Sequence, residues 1–449
     1  MPRLNLSSLV RITMLGGALC SACGSSGPAG ESPGSGAASG GARCSATGSC
    51  DAASCASGAC FDEDRCATSG QVDYGGPSFE NGQDVVVTPE GDRVVAGYFA
   101  LDGETNSDRQ IFVAKVDAAG AELWRRELGT AGGDYANAIV RDAAGNLYVV
   151  GASSGAFEGQ PHQGQRDALV FKLDDGGTLL WSLLFGGTGS DTANGVAFDS
   201  AGNLIVVGQL AYDSVAGTRG GFVAVVTTEG QLVSNAEVIM PGLYPEVMAV
   251  SVDASGNLVL AGEVLSALTG PGDVFVQKLA PDGSELWTTR WTGAEDDWAN
   301  DVAVNGAGEI FVSGTTAGIL EGNPEPMNGW SLFLSRLTPA GEIAYTRTYF
   351  PEVDTRGGAL VLAENGDLVM AGTILGELSL DEEALGADPL LVRACPDGEP
   401  KAAQRWSLPG DDWTWGAVET AAGAVVLAGY AYRADVQSTQ TSIITVAAE

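Results

Sequence analysis

Seven copies of one phrase, four β-type runs in each copy, and no amphipathic helical period anywhere predict an all-β fold. The expected architecture is a seven-bladed β-propeller of four-stranded blades. The phrase reads "DAAGN", "DSAGN" or "DASGN" in its clearest copies. Its glycine falls at Gly91, Gly145, Gly202, Gly256, Gly308, Gly366 and Gly423, a period of about 55 residues. A four-stranded unit with two apolar faces cannot bury both alone, so neighbouring units must stack around an axis.

In the second copy the runs are "ANAIVRD", "NLYVVGA", "DALVFKL" and "TLLWSLLF". The fourth copy gives "VMAVSVD", "NLVLAGE", "DVFVQKL" and "ELWTTRW". The third ends in a degraded run, "QLVSNAEV". Between the first two runs the phrase is a tight turn: Gly supplies the positive φ, and Asp can bond its own backbone. Trp124, Trp181, Trp287 and Tyr345 recur at one place in the copies, beyond the turn between the third and fourth runs, and are expected to pack between blades.

The segments "GGDYANAIVRDAAGNLYVVG", "GGTGSDTANGVAFDSAGNLIVVG" and "DALVFKLDDGGTLLWSLLFGG" resemble the seven-bladed β-propeller repeat family, often labelled SBBP. The resemblance covers residues 69–449, and copies two, three and five carry it best. Copies one, six and seven depart at the "D-x-A-N" segment, where "ENGQD", "TRGGA" and "DWTWGA" stand. The chain ends on "SIITVAAE", which aligns with a third run, while "SGQVDYGG" at Ser69–Gly76 looks like a shortened fourth run. An N-terminal strand is therefore expected to complete the last blade, which removes open sheet edges.

Ahead of the propeller the sequence divides into three parts. Residues 1–22 read as an export signal, with Arg3 and Arg11 beside a short apolar stretch. The stretch ends in "LCSAC", which resembles a bacterial lipobox with Cys23 as the lipidated residue, although Cys20 stands where that motif has leucine. Residues 23–43 are rich in Gly, Ser, Ala and Pro, a composition that behaves as a flexible tether. Residues 44–68 carry Cys44, Cys50, Cys55, Cys60 and Cys66. In an exported chain close cysteines favour disulfides over metal, and here neither CxxC spacing nor a nearby histidine supports zinc. The odd cysteine leaves room for a bridge to Cys395. The expected address is the outer membrane of a Gram-negative bacterium, reached through a lipid anchor.

The 22 Lys+Arg against 57 Asp+Glu give a formal charge of −35, which argues against nucleic-acid binding, since that needs a basic surface to displace counterions. His162 is the one histidine, so HExxH-type metal clusters are excluded. "GASSG" around Ser153 fits G-x-S-x-G, but that motif carries chemistry only on a strand-turn-helix elbow, and no helix follows. Asp102, Glu104, Asn106 and Asp108 alternate in "DGETNSDRQ", an oxygen cluster that suits calcium, yet Ser107 stands where an EF-type loop has glycine. A solvated acidic loop is the plainer reading, and no other cofactor is expected.

Trp298, Trp413 and Trp415 stand beside the acidic residues Asp297 and Asp412 at the start of first runs. Aromatics with carboxylates at a loop form a candidate glycan or peptide contact. The longest variable segments, 98–109, 152–166, 209–219, 263–272, 315–330, 373–388 and 430–440, join second and third runs and must emerge on one face. Variable loops on a rigid scaffold form a binding surface, and their acidic content suggests a polar or cationic partner. The expected function is a non-catalytic binding scaffold for a protein or glycan at the cell envelope. The alternatives are a quinoprotein-like enzyme, from a faint echo in "KVDAAGAELW" and "KLDDGGTLLW", and an envelope-assembly lipoprotein.

Overall fold

The computed structural model describes residues 70–74, 79–100, 109–213, 218–267, 270–321, 329–351, 353–375, 386–406, 411–433 and 438–446. Cys23, the cysteines of 44–68, and Asp102, Glu104, Asn106 and Asp108 lie outside them. The described residues form seven four-stranded antiparallel sheets and contain no helix. The first, innermost strands are Phe79–Val87, Asp134–Arg141, Ser190–Phe198, Tyr244–Val252, Asp297–Val304, Thr355–Leu362 and Asp412–Glu419, in blades 1 to 7.

Blade 2 shows the pattern. Asp134–Arg141, Leu147–Ser153, Asp167–Leu173 and Leu179–Phe185 follow one another from the inside outward by hairpin connections. The first turn is closed by Asp142, whose Oδ1 accepts from Ala144 N (2.9 Å) and Asn146 N (2.8 Å), while Gly145 takes φ 92°. Blade 7 takes Asp412–Glu419, Val425–Arg433 and Ser438–Val446 from one end of the propeller chain and Gly70–Tyr74 from the other. Gly70 is aligned with Thr445 and Tyr74 with Thr441.

The core lies between blades rather than within them. Each of the seven buried hydrophobic clusters is shared by two neighbours. Ile111 and Val113 of blade 1 meet Leu147, Leu169 and Phe171 of blade 2, and Phe112 of blade 1 meets Val426 and Ile443 of blade 7. Each fully buried Leu, Val or Phe adds roughly 1.5–3 kcal/mol, so the blades are held by their interfaces. The four outer-strand aromatics extend the same contacts outward. Trp124 Nε1 donates to Asp175 O (3.0 Å), Trp181 to Thr228 O (3.0 Å), Trp287 to Pro339 O (3.2 Å) and Tyr345 Oη to Pro396 O (2.9 Å), always in the next blade. Each ring lies on a glycine of that blade's outer turn, Gly177, Gly230, Gly341 or Gly398.

Candidate functional site

The first strand of every blade carries a register shift, between Ala136 and Ala138 in blade 2 and between Ala193 and Gly195 in blade 3. This bulge gives the "D-x-A-N" segment its meaning. The asparagine is the residue left out of the ladder, and its side chain reaches sideways instead. Asn137 Nδ2 donates to Ala193 O (2.9 Å), and Asn194 Nδ2 donates to Val247 O (3.0 Å), so each asparagine ties one inner strand to the next. Opposite the bulge the inner-strand backbone swings toward the second strand. A Cβ at Gly151 would lie 2.0 Å from the Tyr135 carbonyl oxygen, which is why the phrase "NLYVVG" ends in glycine.

The segment's leading aspartate is structural. Asp134 Oδ2 accepts from Thr130 N (2.5 Å) and Thr130 Oγ1 (2.9 Å), and Ser153 Oγ donates to its Oδ1. Ser153 is thereby buried and engaged, away from any strand-turn-helix elbow, and His162 stands on the following loop. Asp297 Oδ1 accepts from Ala317 N (3.2 Å), and Asp412 Oδ1 from Tyr432 N (2.8 Å). Both aspartates are fully buried, so neither presents a carboxylate to a ligand on the surface, contrary to the pairing expected with the tryptophans. Burial pushes the Asp297 carboxyl up to about 6, against the pull of its hydrogen bonds.

In blades 2, 5, 6 and 7 the second residue of the inner strand is half-exposed, on the face that carries the variable loops. Here stand Tyr135, Trp298, Arg356 and Trp413. Trp298 lies 4.8 Å from Trp330, which ends the long loop of blade 5. Trp413 stacks on Trp415 at 5.5 Å and 15°. Tyr430, Phe79, Tyr98 and Tyr135 continue the series across blades 7, 1 and 2, with successive centroids 6.1, 6.3 and 6.5 Å apart. Three guanidinium groups cap these rings: Arg109 over Tyr98 (4.4 Å), Arg166 over Tyr135 (5.0 Å) and Arg356 over Trp330 (4.2 Å). The structure thus sets Trp298 beside Trp330 and Arg356, neighbours that the sequence does not announce, and stacks Trp413 on Trp415.

Two carboxylates sit deeper, at the bulges of blades 1 and 5. Asp84 accepts from Ile139 N (2.9 Å) of blade 2 and from Val85 N (2.8 Å). Asp301 accepts from Leu360 N (2.8 Å) of blade 6 and from Val302 N (2.7 Å). Burial raises Asp84 to about 7, with a smaller push from the charge of Asp301, and burial raises Asp301 to about 6. Cys395 is buried at the turn that follows the third strand of blade 6.

A family model described as a β-propeller repeat, SBBP, matches residues 123–158 and 180–209. Both segments start in the outer strand of one blade and end in or just beyond the second strand of the next. The regulatory protein FlaEY of Caulobacter vibrioides is 26% identical over 210 residues, which is 45% of this chain and 18% of that protein, so the match takes in under a fifth of that relative's length. The WD40 domain of Neurospora crassa Pan2 shares the fold at TM-score 0.50 and 10% identity, over 84% of this chain and 94% of that one. The polysaccharide lyase Uly1 does so at TM-score 0.50 and 11% identity, over 82% and 90%. The seven four-stranded sheets make the chain a seven-bladed β-propeller, and two stretches of it, 123–158 and 180–209, match the SBBP repeat.

Proposed function

We propose that the protein is a non-catalytic binding scaffold of the cell envelope, anchored by lipid on Cys23 and held off the membrane by the tether at 23–43. On this reading the cysteine-rich segment 44–68 forms disulfides and reaches the buried Cys395 on blade 6. The address is the outer membrane, and the loop face carries a protein or glycan partner.

The observation that supports this most directly is the half-exposed aromatic series Tyr430, Phe79, Tyr98 and Tyr135, with Trp298 and Trp413 on the same face. Large rings left partly in water on a rigid frame mark an interaction surface. On the opposite face the first turns of blades 2, 3 and 4 instead repeat one self-contained Asp–Gly hairpin.

Photo-crosslinkers placed at exposed Ala131 and Glu295, on the loop face, and at Ala119 and Ser255, on the opposite face, test this in intact cells. A recurrent adduct from the first pair alone is expected. Adducts from both faces alike, or membrane association that survives Cys23→Ala, would remove the respective half of the proposal.

A further inference from the structure

The arginines of this chain fall into two groups. Several described arginines are neutralised: Arg125 pairs with Glu80, Arg336 with Glu309, and, at the loop-face ends of blades 4 and 6, Arg290 with Asp273 and Arg405 with Asp388. Arg109, Arg166 and Arg356, on the loop face, make no ion pair with a carboxylate among the described residues. Their guanidinium groups lie instead over the faces of Tyr98, Tyr135, Trp330 and Trp298, although Arg356 also feels the charge of Asp354.

This placement is systematic. Arg109 stands three residues before Phe112, the cross-strand partner of Gly97, and Arg166 stands three before Leu169, the partner of Gly151. Arg219 holds the same register in blade 3, three before Phe222, the partner of Gly208. Blades 4 to 7 put Gly272, Trp330, Ala387 and Thr439 there. Three successive blades of a chain with formal charge −35 thus place an arginine at the mouth of the third strand.

A guanidinium stacked on a ring keeps its N–H edge in the plane parallel to that ring, open to a planar oxyanion that can accept two bonds. The rings supply what a carboxylate partner needs beside the charge. Their centroids follow one another at 6.1 to 6.5 Å along the rim, comparable with the advance of one pyranose unit along a glycan. An acidic peptide would use the guanidinium groups but has no need of such a row of rings.

Resting on the reading of this face as the binding surface, we propose that its ligand is an anionic glycan. Uronic-acid carboxylates bind Arg109, Arg166 and Arg356, and sugar rings stack along Tyr98, Tyr135, Trp298 and Trp413. The sign is opposite to the cationic partner that the acidic loop composition suggests.

The test is titration calorimetry of the full exported chain with polygalacturonate, alginate and hyaluronate, against neutral amylose and poly-glutamate, from 50 to 300 mM salt. At least one polyuronate is expected to bind and amylose not to. The double variant R109Q/R166Q should weaken binding tenfold or more and flatten its salt dependence, Tyr135→Ala should weaken it severalfold, and R347Q, at an arginine paired with Glu399, should leave it unchanged. Circular dichroism checks that each variant folds. Tyr98→Phe, which keeps the ring, retains binding and serves where Tyr135→Ala fails to fold. Binding to none of the three polyuronates, equal binding of amylose, or poly-glutamate binding that ignores Tyr135→Ala overturns the proposal. A protein adduct from the loop face together with such a failure would leave the scaffold reading intact while removing the glycan.

Discussion

Asn137 stands outside its own β-ladder and donates its Nδ2 to the carbonyl of Ala193 in the neighbouring blade, at 2.9 Å. Asn194 repeats the arrangement one blade on, toward Val247 at 3.0 Å. A bulge usually re-aims one side chain, and here the re-aimed side chain fastens the inner ring.

Replacing Asn137 or Asn194 with alanine leaves a carbonyl of the next blade without its donor. Each change should cost about 1 kcal/mol. The pair should depart from additivity, because Asn137 Nδ2 also approaches Asn194 Oδ1 at 3.5 Å. Urea unfolding of the two single variants and the double variant measures both quantities.

Gly151→Ala forces a methyl group against the Tyr135 carbonyl at 2.0 Å, and backbone cannot step aside as a flexible side chain can. The expected loss is roughly 2–3 kcal/mol, the upper range for overpacking. Gly187→Ala meets nothing within 4 Å and should leave the unfolding midpoint almost unchanged.

Acid and base should act on different groups. Asp84 and Asp301 are raised to about 7 and about 6, above an unfolded value near 3.8. Their contribution is fully present below about pH 4 and is lost as pH rises through 6 to 7. Asp253 is the opposite case. Burial opposes its charge, but Lys278 at 2.8 Å and the bonds from Asn257 and Ser255 outweigh it and hold the carboxyl at about 2. Its contribution is present above about pH 4 and is lost as pH falls toward 2. Thermal melting should therefore peak near pH 4 and decline progressively toward about pH 7. Asp84→Asn with Asp301→Asn should flatten the alkaline side, and Lys278→Met should move the acid side upward.

Deleting residues 70–74 exposes the edge of the strand Ser438–Val446, which pairs with Gly70–Tyr74 over its length from Thr441 to Thr445. Lower melting temperature and concentration-dependent association are expected, read by calorimetry and light scattering. An unchanged melting curve would show that the pairing contributes nothing to closure.

Blade number and turn chemistry were legible because both are local. Asp142 and Gly145 lie within one turn, and the spacing of such turns counts the copies. The outer aromatics were legible for the same reason, since Trp181 and its glycine partner Gly230 recur at fixed offsets in neighbouring copies. The aspartates beside the tryptophans were not. Asp297 and Trp298 are adjacent in sequence, yet alternation along a strand turns one inward and the other toward the face. Arg166 and Tyr135 meet only because the loop between them folds back, and its length varies from copy to copy, so no spacing announces the pair. The asparagine's role rests on the bulge, which only the strand register reveals.

The matched segments 123–158 and 180–209 each begin in one blade and finish in the next. Each matched segment is therefore a joint between blades rather than a petal. Such a segment bears an outer strand of the blade behind it and the inner pair of the blade ahead, so its two ends finish different sheets. The same offset means that a single unit cut out alone carries two unfinished halves and has no reason to fold.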